Sequence, residues 1–503
     1  VFVFLLQIRH AWLADGPLYL FAVFSAVVWL LWLTKVLLSR RYRPWTEPFA
    51  PSVTVVIPVV DEPIGLFRDV LSRVVGQHPD EVIVVVNGPR NPELDDVCDE
   101  LAVRRLWTPV PGKRNAVRLG VEAATAEVVV LVDSDTVWTD GTLTELVKPF
   151  ADPTVGGVTS RQRILDHDRC WITRWSDWLE NSRALYAMPA QSVLGQVGCL
   201  PGRTIAFRRE LLVEVLPRFL GQRFLGVFLE VSDDRALTNL TLQAGYRTVY
   251  QYSSLVYTDS PTTLARMARQ QLRWARGSQY NTLRMLPWML AHAPLLAVFF
   301  LADIALPFLL LGATIGWVYR AATGTGVNFY AAMLTAYGME SGVVRVIALA
   351  VVASMLSMGV RQLRHLAERP GDFLRLPVFI TLSTLFLMPI RLVGFFRMAH
   401  VSGWGTRAHG YTATPADHQP TGAPAALPPA ALSPAPAPAA AAPTAAAAPA
   451  PATAEPATAR NRAPARRLPR QRRPRWLRRL NPLATVPYLI GITIITLEVL
   501  HHA

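Results

Sequence analysis

The run Val128-Val-Val-Leu-Val-Asp133-Ser-Asp135-Thr136 ends an apolar stretch in two carboxylates one residue apart. The apolar part is β-branched and lacks polar alternation, as a parallel strand buried on both faces does. Where such a strand stops, its side chains project into the crevice outside the sheet, the usual place for a ligand in open α/β folds. Two carboxylates there suit a divalent metal holding a phosphorylated substrate. An isolated Asp-x-Asp is more often a solvated strand-to-loop junction, so the assignment depends on its surroundings.

Several segments supply those surroundings. Pro58-Val-Val-Asp61-Glu62 closes one strand candidate and Val86-Asn87-Gly88 closes a second, both on the sheet edge that bears Asp133 and Asp135. Gly112-Lys113-Arg114-Asn115-Ala116 offers two cations just before a helix, suited to a diphosphate. In Ser232-Asp233-Asp234-Arg235 two adjacent carboxylates cannot face the same point. One is free to act as a base while the other packs or pairs with a cation such as Arg235. Neighbouring anions in a cleft raise a carboxylate's pKa and make it a better proton acceptor near neutrality. The plain alternative is an acidic helix N-terminus. In Gln270-Gln271-Leu272-Arg273-Trp274, Arg273 could neutralise a departing diphosphate and Trp274 could stack on a sugar ring. The alternative is an interfacial helix with snorkelling arginines and a Trp anchor. Gly403-Trp404-Gly405-Thr406-Arg407 follows a broken apolar segment.

The elements that must position these residues alternate between strand and helix from 51 to 260. Strands are expected at Val53 to Ile57, Glu81 to Val86 and Val128 to Val132, an α/β pattern that implies a largely parallel sheet. Apolar segments flank this domain, and the chain is 51% hydrophobic. Residues 17–40 are expected to form a transmembrane helix, and Arg40, Arg41 and Arg43 at its end point to the cytoplasm for that end. Residues 1–16, broken by Arg9 and His10, read as an interfacial or truncated helix. An arginine-rich interfacial stretch at 261–290 precedes further transmembrane helices at 291–319 and 341–360. Residues 373–410 carry Pro377, Pro389 and several arginines, and are expected to be interfacial or re-entrant rather than a simple span.

Residues 412–480 begin as an Ala/Pro tether and end in ten arginines between Arg460 and Arg479, which account for most of the net charge of +14. A last transmembrane helix is expected at 482–500. A basic cluster abutting a membrane helix favours anionic lipid headgroups, so membrane lipids and not nucleic acid are the expected partner. Cys98, Cys170 and Cys199 offer neither a disulfide framework nor metal-ligand spacing.

Taken in order, Asp61-Glu62, Lys113-Arg114, Asp133-Ser-Asp135, Asp233-Asp234, Gln270-x-x-Arg273-Trp274 and Trp404-Gly-Thr-Arg407 resemble the membrane-integrated, processive family 2 glycosyltransferases, among them hyaluronan, chitin and cellulose synthases. Ser232 to Asn239 and Trp404-Gly-Thr-Arg407 look most like the hyaluronan synthase branch, and the resemblance covers about residues 50 to 410. It implies a GT-A-like α/β catalytic domain on the cytoplasmic face of the plasma membrane, inserted between transmembrane and interfacial α-helices of a multi-pass chain.

It further implies a UDP-sugar donor, with Asp133 and Asp135 at the diphosphate and Asp135 the better contact for Mg²⁺ or Mn²⁺. Lys113 approaches the diphosphate, while Asp61 and Glu62 line the nucleotide pocket. Asp234 corresponds to the catalytic base. The segment with Cys199, Gly202 and Arg203 corresponds to the acceptor-side loop. Gln270, Arg273 and Trp274 hold acceptor sugar and leaving group, and Trp404 and Arg407 belong to a gating loop.

The chain departs from its relatives at three points. Asn87 stands where an aspartate usually faces the base, and Ser232 stands where a glycine is common. After Arg407 a long tether and one apolar segment replace a rapid return to membrane helices. The expected reaction is inverting transfer from a UDP-sugar to a growing β-linked polysaccharide, hyaluronan- or chitin-like. The alternative is a single transfer to a lipid acceptor. A third reading, an inactive membrane scaffold, fits poorly with the intact carboxylates.

Overall fold

The computed structural model describes residues 23–110, 112–324, 339–400 and 482–502. Trp404, Arg407, the Ala/Pro tether and the arginine cluster lie outside the described residues, as does the segment 1–16. The core is one eight-stranded sheet ordered β3-β2-β1-β4-β7-β6-β10-β5. Its strands are β1 (Val53–Val59), β2 (Glu81–Asn87), β3 (Arg104–Thr108), β4 (Val128–Val132), β5 (Thr136–Trp138), β6 (Val155–Ile164), β7 (Thr204–Arg208) and β10 (Arg247–Thr258). A small hairpin, β8 (Arg223–Phe224) with β9 (Val227–Phe228), stands apart.

β1 to β4 pair in parallel, with Val55 opposite both Val82 on β2 and Val130 on β4. Every residue of β1 and β4 is buried, because helices cover both faces. Each Val, Leu or Ile so buried is worth about 1.5–3 kcal/mol relative to exposure. The sheet is mixed where a largely parallel one was expected. β7 runs antiparallel between β4 and β6, and β5 antiparallel on β10. The reversal lets the segment before β7 return to the carboxyl end of β4, where the Asp133 amide donates to the Arg203 carbonyl over 3.1 Å.

Up to residue 323 the described helices are α1 (Val23–Ser39), α2 (Ile64–Val75), α3 (Pro92–Glu100), α4 (Lys113–Ala123), α5 (Thr142–Val147), α6 (Trp171–Ser182), α7 (Met188–Val193), α8 (Arg209–Leu220), α9 (Asp233–Gln243), α10 (Leu264–His292) and α11 (Pro294–Thr323). A π-turn over Arg183–Ala187 joins α6 to α7. Such turns are frequent at functional sites, and this one carries Arg183 to a cavity described below.

Among the described residues, Pro294–Gly316 and Pro370–Phe396 are long and apolar enough to cross a membrane, and Val23–Ser39, Val351–Arg361 and Leu483–Leu497 are shorter apolar helices. The stretch Pro370–Phe396 is not one regular helix. It runs from a 3-10 turn through a π-turn at Ser383–Leu387 before Met388–Phe396. The segment from Gln362 onward packs onto α6 through polar ties. His365, fully buried, bonds Asp372 on one ring nitrogen and Asn181 of α6 on the other, at 2.9 and 3.0 Å.

Candidate active site

The carboxyl end of β4, the turn before β7, the start of α9 and one face of α10 enclose a cavity of about 450 Å³. Asp133 and Asp135 reach it from the end of β4, and Lys113 from the first turn of α4. Lys113 Nζ is ion-paired with Asp133 Oδ1. Burial pulls its ammonium down, but Asp133, Asp233 and Asp234 together outweigh burial and hold it above its ordinary range.

Glu62 does not face the cavity. It is buried and accepts a hydrogen bond from Ser134 Oγ at 2.6 Å, which fixes the turn between the two aspartates. Asp61 is exposed beyond β1 and is not part of this cavity wall. Asn87 is buried, and its amide is committed to the loop before α4. Its nitrogen donates to the Val110 and Gly112 carbonyls, and its oxygen accepts from the Gly112 amide, at 3.0–3.1 Å. Asn87 thereby sets the turn that presents Lys113.

Arg114 corrects the expectation of a second diphosphate cation. It is 1% exposed and points into the protein. Its Nε donates to Asp233 Oδ1 at 2.6 Å, its Nη1 to the Phe219 carbonyl and its Nη2 to Gln222 Oε1. The cation paired with Asp233 is thus Arg114, and not the adjacent Arg235. Arg235 instead lies 3.7 Å over the Phe300 ring and donates to Thr282 Oγ1.

With Asp233 tied inward, Asp234 faces the cavity from the first turn of α9. Its Oδ2 accepts from the Gly202 amide at 3.3 Å and from the Cys199 thiol at 3.8 Å. Its Oδ1 accepts from Ser232 Oγ and the Arg235 amide. Burial, and then the Asp234 charge, push the Cys199 thiol up to about 11, so it stays protonated and donates. A Cβ on Gly202 would stand 3.3 Å from the Asp234 Cβ and 3.8 Å from Lys113 Nζ, so glycine keeps this corner open. Ser232 holds φ +62°, a left-handed backbone that favours glycine. Its Cβ is accommodated because Gly277 of α10 leaves room: a Cβ there would come within 2.5 Å of it.

α10 supplies the opposite wall with Gln270, Arg273 and Trp274. Burial lowers the Arg273 guanidinium, and the charges of Asp234, Asp133, Asp233 and Asp135 partly offset this. Its Nε is shielded from solvent and finds no hydrogen-bond partner among the described residues. Arg203 lies 5.8 Å from the Trp274 ring and is pinned by Glu180 at 3.1 Å and Gln162 at 2.8 Å. Glu180, Arg183 and Glu230 also line the cavity and were not singled out from sequence. Glu230 had a signal, an acid set between Leu229 and Val231 four residues before Asp234. Arg183 had none, since a π-turn that re-aims a side chain leaves no mark in spacing, and neither did Glu180 near the end of α6.

Among the described residues, no three His, Cys, Asp or Glu side chains converge as a metal-holding group. Asp133 and Asp135 are hard oxygen donors on one wall, and they fit a divalent cation that takes its remaining oxygens from a diphosphate.

Residues 50–277 match the family described as Glycosyltransferase like family 2. The hyaluronan synthase of Streptococcus pyogenes is 26% identical over 425 residues, 81% of this chain and 96% of that one. An N-acetylglucosaminyltransferase of Azorhizobium caulinodans is 32% identical over 247 residues, 47% of this chain and 62% of its own. Among solved structures, a mannosyltransferase from Pyrobaculum calidifontis in complex with GDP-Man and Mn2+ superposes with a TM-score of 0.50 at 20% identity, covering 74% of this chain and 98% of that one. The fold is GT-A-like, and the domain spanning residues 50–277 is that of a family 2 glycosyltransferase, a sugar-transferring enzyme. Within that family it is related to the hyaluronan- and chitin-synthase-like enzymes.

Proposed function

We propose that the enzyme transfers sugar from a UDP-sugar, with inversion, to a growing β-linked polysaccharide at the cytoplasmic face of the plasma membrane. The observation that carries this reading is that one cavity holds Asp234, the Lys113–Asp133–Asp135 group and Arg273, and extends to Phe299, Asp303, Leu387 and Ile390 of the apolar helices. Diphosphate chemistry and an outlet toward the membrane thus share one space. The likeness to a hyaluronan synthase along 96% of that protein supports a polymer product.

In this mechanism Asp234, oriented by the Gly202 amide and Ser232 Oγ, takes the proton of an acceptor hydroxyl. That oxygen attacks the anomeric carbon from the face opposite the diphosphate, so one displacement turns an α-linked donor into a β-linked product. Lys113 and Arg273 stabilise the charge that develops on the departing diphosphate. Asp133 and Asp135 are the residues that would hold Mg²⁺ or Mn²⁺, which neutralises the diphosphate when bound. Trp274, Gln270 and Arg203 orient the acceptor. The apolar helices and the arginines after residue 39 and residue 360 support the multi-pass reading.

A second reading is a single transfer to a lipid acceptor. Membranes carrying the full chain, incubated with radiolabelled UDP-sugars singly and in pairs, separate the two on a gel. A ladder or high polymer supports the first reading, and a single glycolipid spot overturns it in favour of the second.

A further inference from the structure

Glu230 is a carboxylate on the cavity wall that the mechanism above leaves unused. It lies between the β8–β9 hairpin and α9, and its side chain turns toward the cap of α4. A Cβ added to Gly112 would sit 3.0 Å from Glu230 Oε1, so the carboxyl rests against the backbone turn that presents Lys113. Glu230 Oε2 is shielded from solvent and has no hydrogen-bond partner among the described residues.

The charged and titratable groups around it are already engaged. Asp233 of α9 and Arg114 of α4 are bonded to each other, and Lys113 is paired with Asp133. Asp234 is held by Gly202 and Ser232, and the Tyr280 hydroxyl of α10 donates to the Val231 carbonyl at 2.6 Å. Burial, then the Asp233 charge, push the Glu230 carboxyl up to about 7, with Arg114 drawing it partly back. A nucleoside diphosphate at Lys113 brings further negative charge to this corner. An ionised carboxylate repels it, whereas a protonated one becomes a hydrogen-bond donor.

We propose that Glu230 is a donor-binding residue: its carboxyl, seated against Gly112 with one oxygen unpartnered, takes a proton from solvent when a nucleoside diphosphate binds at Lys113 and hydrogen-bonds to phosphate as a neutral acid. One proton moves from solvent to Glu230 on binding and returns when the diphosphate leaves, and no covalent bond to substrate forms. This inference rests on the UDP-donor reading above. Its consequence is that donor affinity falls as pH rises above about 7, by at most about tenfold per pH unit, because the complex binds more protons than the free enzyme.

The test is calorimetric titration of the full-length protein in detergent with UDP at about pH 8, in two buffers of different ionisation enthalpy, on wild type and Glu230→Gln. Wild type is expected to take up roughly half a proton or more per UDP bound. Glu230→Gln, whose amide also donates, is expected to bind UDP without that uptake and with an affinity flat from about pH 7 to about pH 9. Binding by wild type without proton uptake overturns the inference and leaves the donor site standing. Uptake persisting in Glu230→Gln, or loss of UDP binding by a folded Glu230→Gln, overturns it equally. Should Glu230→Gln fail to fold, as read from its thermal melt, the wild-type proton count and pH dependence decide. Failure of wild type to bind UDP at any pH removes both the inference and the donor reading.

Discussion

Arg114 Nε donates to Asp233 Oδ1 across 2.6 Å, so the first of two adjacent aspartates is ion-paired to a buried cation while the second, Asp234, accepts from the Gly202 amide on the cavity wall. Asp233 is drawn toward the buried junction of α4, α8 and α9, where Arg114 also bonds the Phe219 carbonyl and Gln222. One residue later on the same helix turn, Asp234 necessarily points elsewhere, into the cavity. An ion pair thus serves here as an orienting device more than a source of stability, since the desolvation of both partners offsets much of their attraction.

Removing one partner is therefore expected to be costly. Arg114→Ala leaves Asp233 buried and uncompensated, and should lower stability by about 3–5 kcal/mol. The double variant Arg114→Ala/Asp233→Ala should recover part of that loss. Thermal or denaturant unfolding of the purified variants measures both, and an Arg114→Ala protein as stable as wild type would contradict the orienting role.

Ser232 and Gly277 form a second coupled pair. Gly277→Ala should displace the 232 turn and reduce turnover, because the new Cβ would stand 2.5 Å from that of Ser232. Ser232→Gly removes the obstructing atom and relieves a left-handed backbone costing on the order of 1 kcal/mol. Activity of Ser232→Gly/Gly277→Ala should accordingly exceed that of Gly277→Ala alone, as a double-mutant cycle in initial rates would show.

Arg273 faces four carboxylates and keeps a shielded Nε with no partner among the described residues, an arrangement suited to an anion that arrives with the donor. Arg273→Ala should lower kcat by about 10²- to 10³-fold, the usual loss when a preorganised donor to developing charge is removed. Steady-state rates at saturating donor test this, and a change confined to KM would reassign Arg273 to ground-state binding.

The central strands were legible in the sequence because burial on both faces forces uninterrupted Val and Ile runs. β1, β2 and β4 lie where those runs fall, with β1 extended to Val59. β3, with Arg104-Arg105, and β10, with Tyr, Gln and Ser in its length, carry no such run and take their conformation from pairing in the sheet. The strand reversal at β7 was hidden for the same reason. Within the site, the carboxylates at the strand end were readable from spacing, but the direction of Arg114 was not read from its place beside Lys113. The helix period held the answer: Arg114 shares the i, i+3, i+7 stripe of Val117 and Val121, the buried face of α4. Glu62 and Asn87 were identified as site residues by position, but their contacts fall on Ser134 and on the loop before α4, a second layer that linear spacing does not reveal.

The central claim is that Asp234 removes the acceptor proton while its neighbours hold the leaving group. The most direct measurement compares wild type with Asp234→Asn in membranes, following both UDP-sugar transfer and UDP binding. The account predicts that Asp234→Asn loses transfer by about 10²- to 10⁴-fold, the range for removing a general base, with UDP affinity largely intact. Near-normal turnover in Asp234→Asn would contradict it.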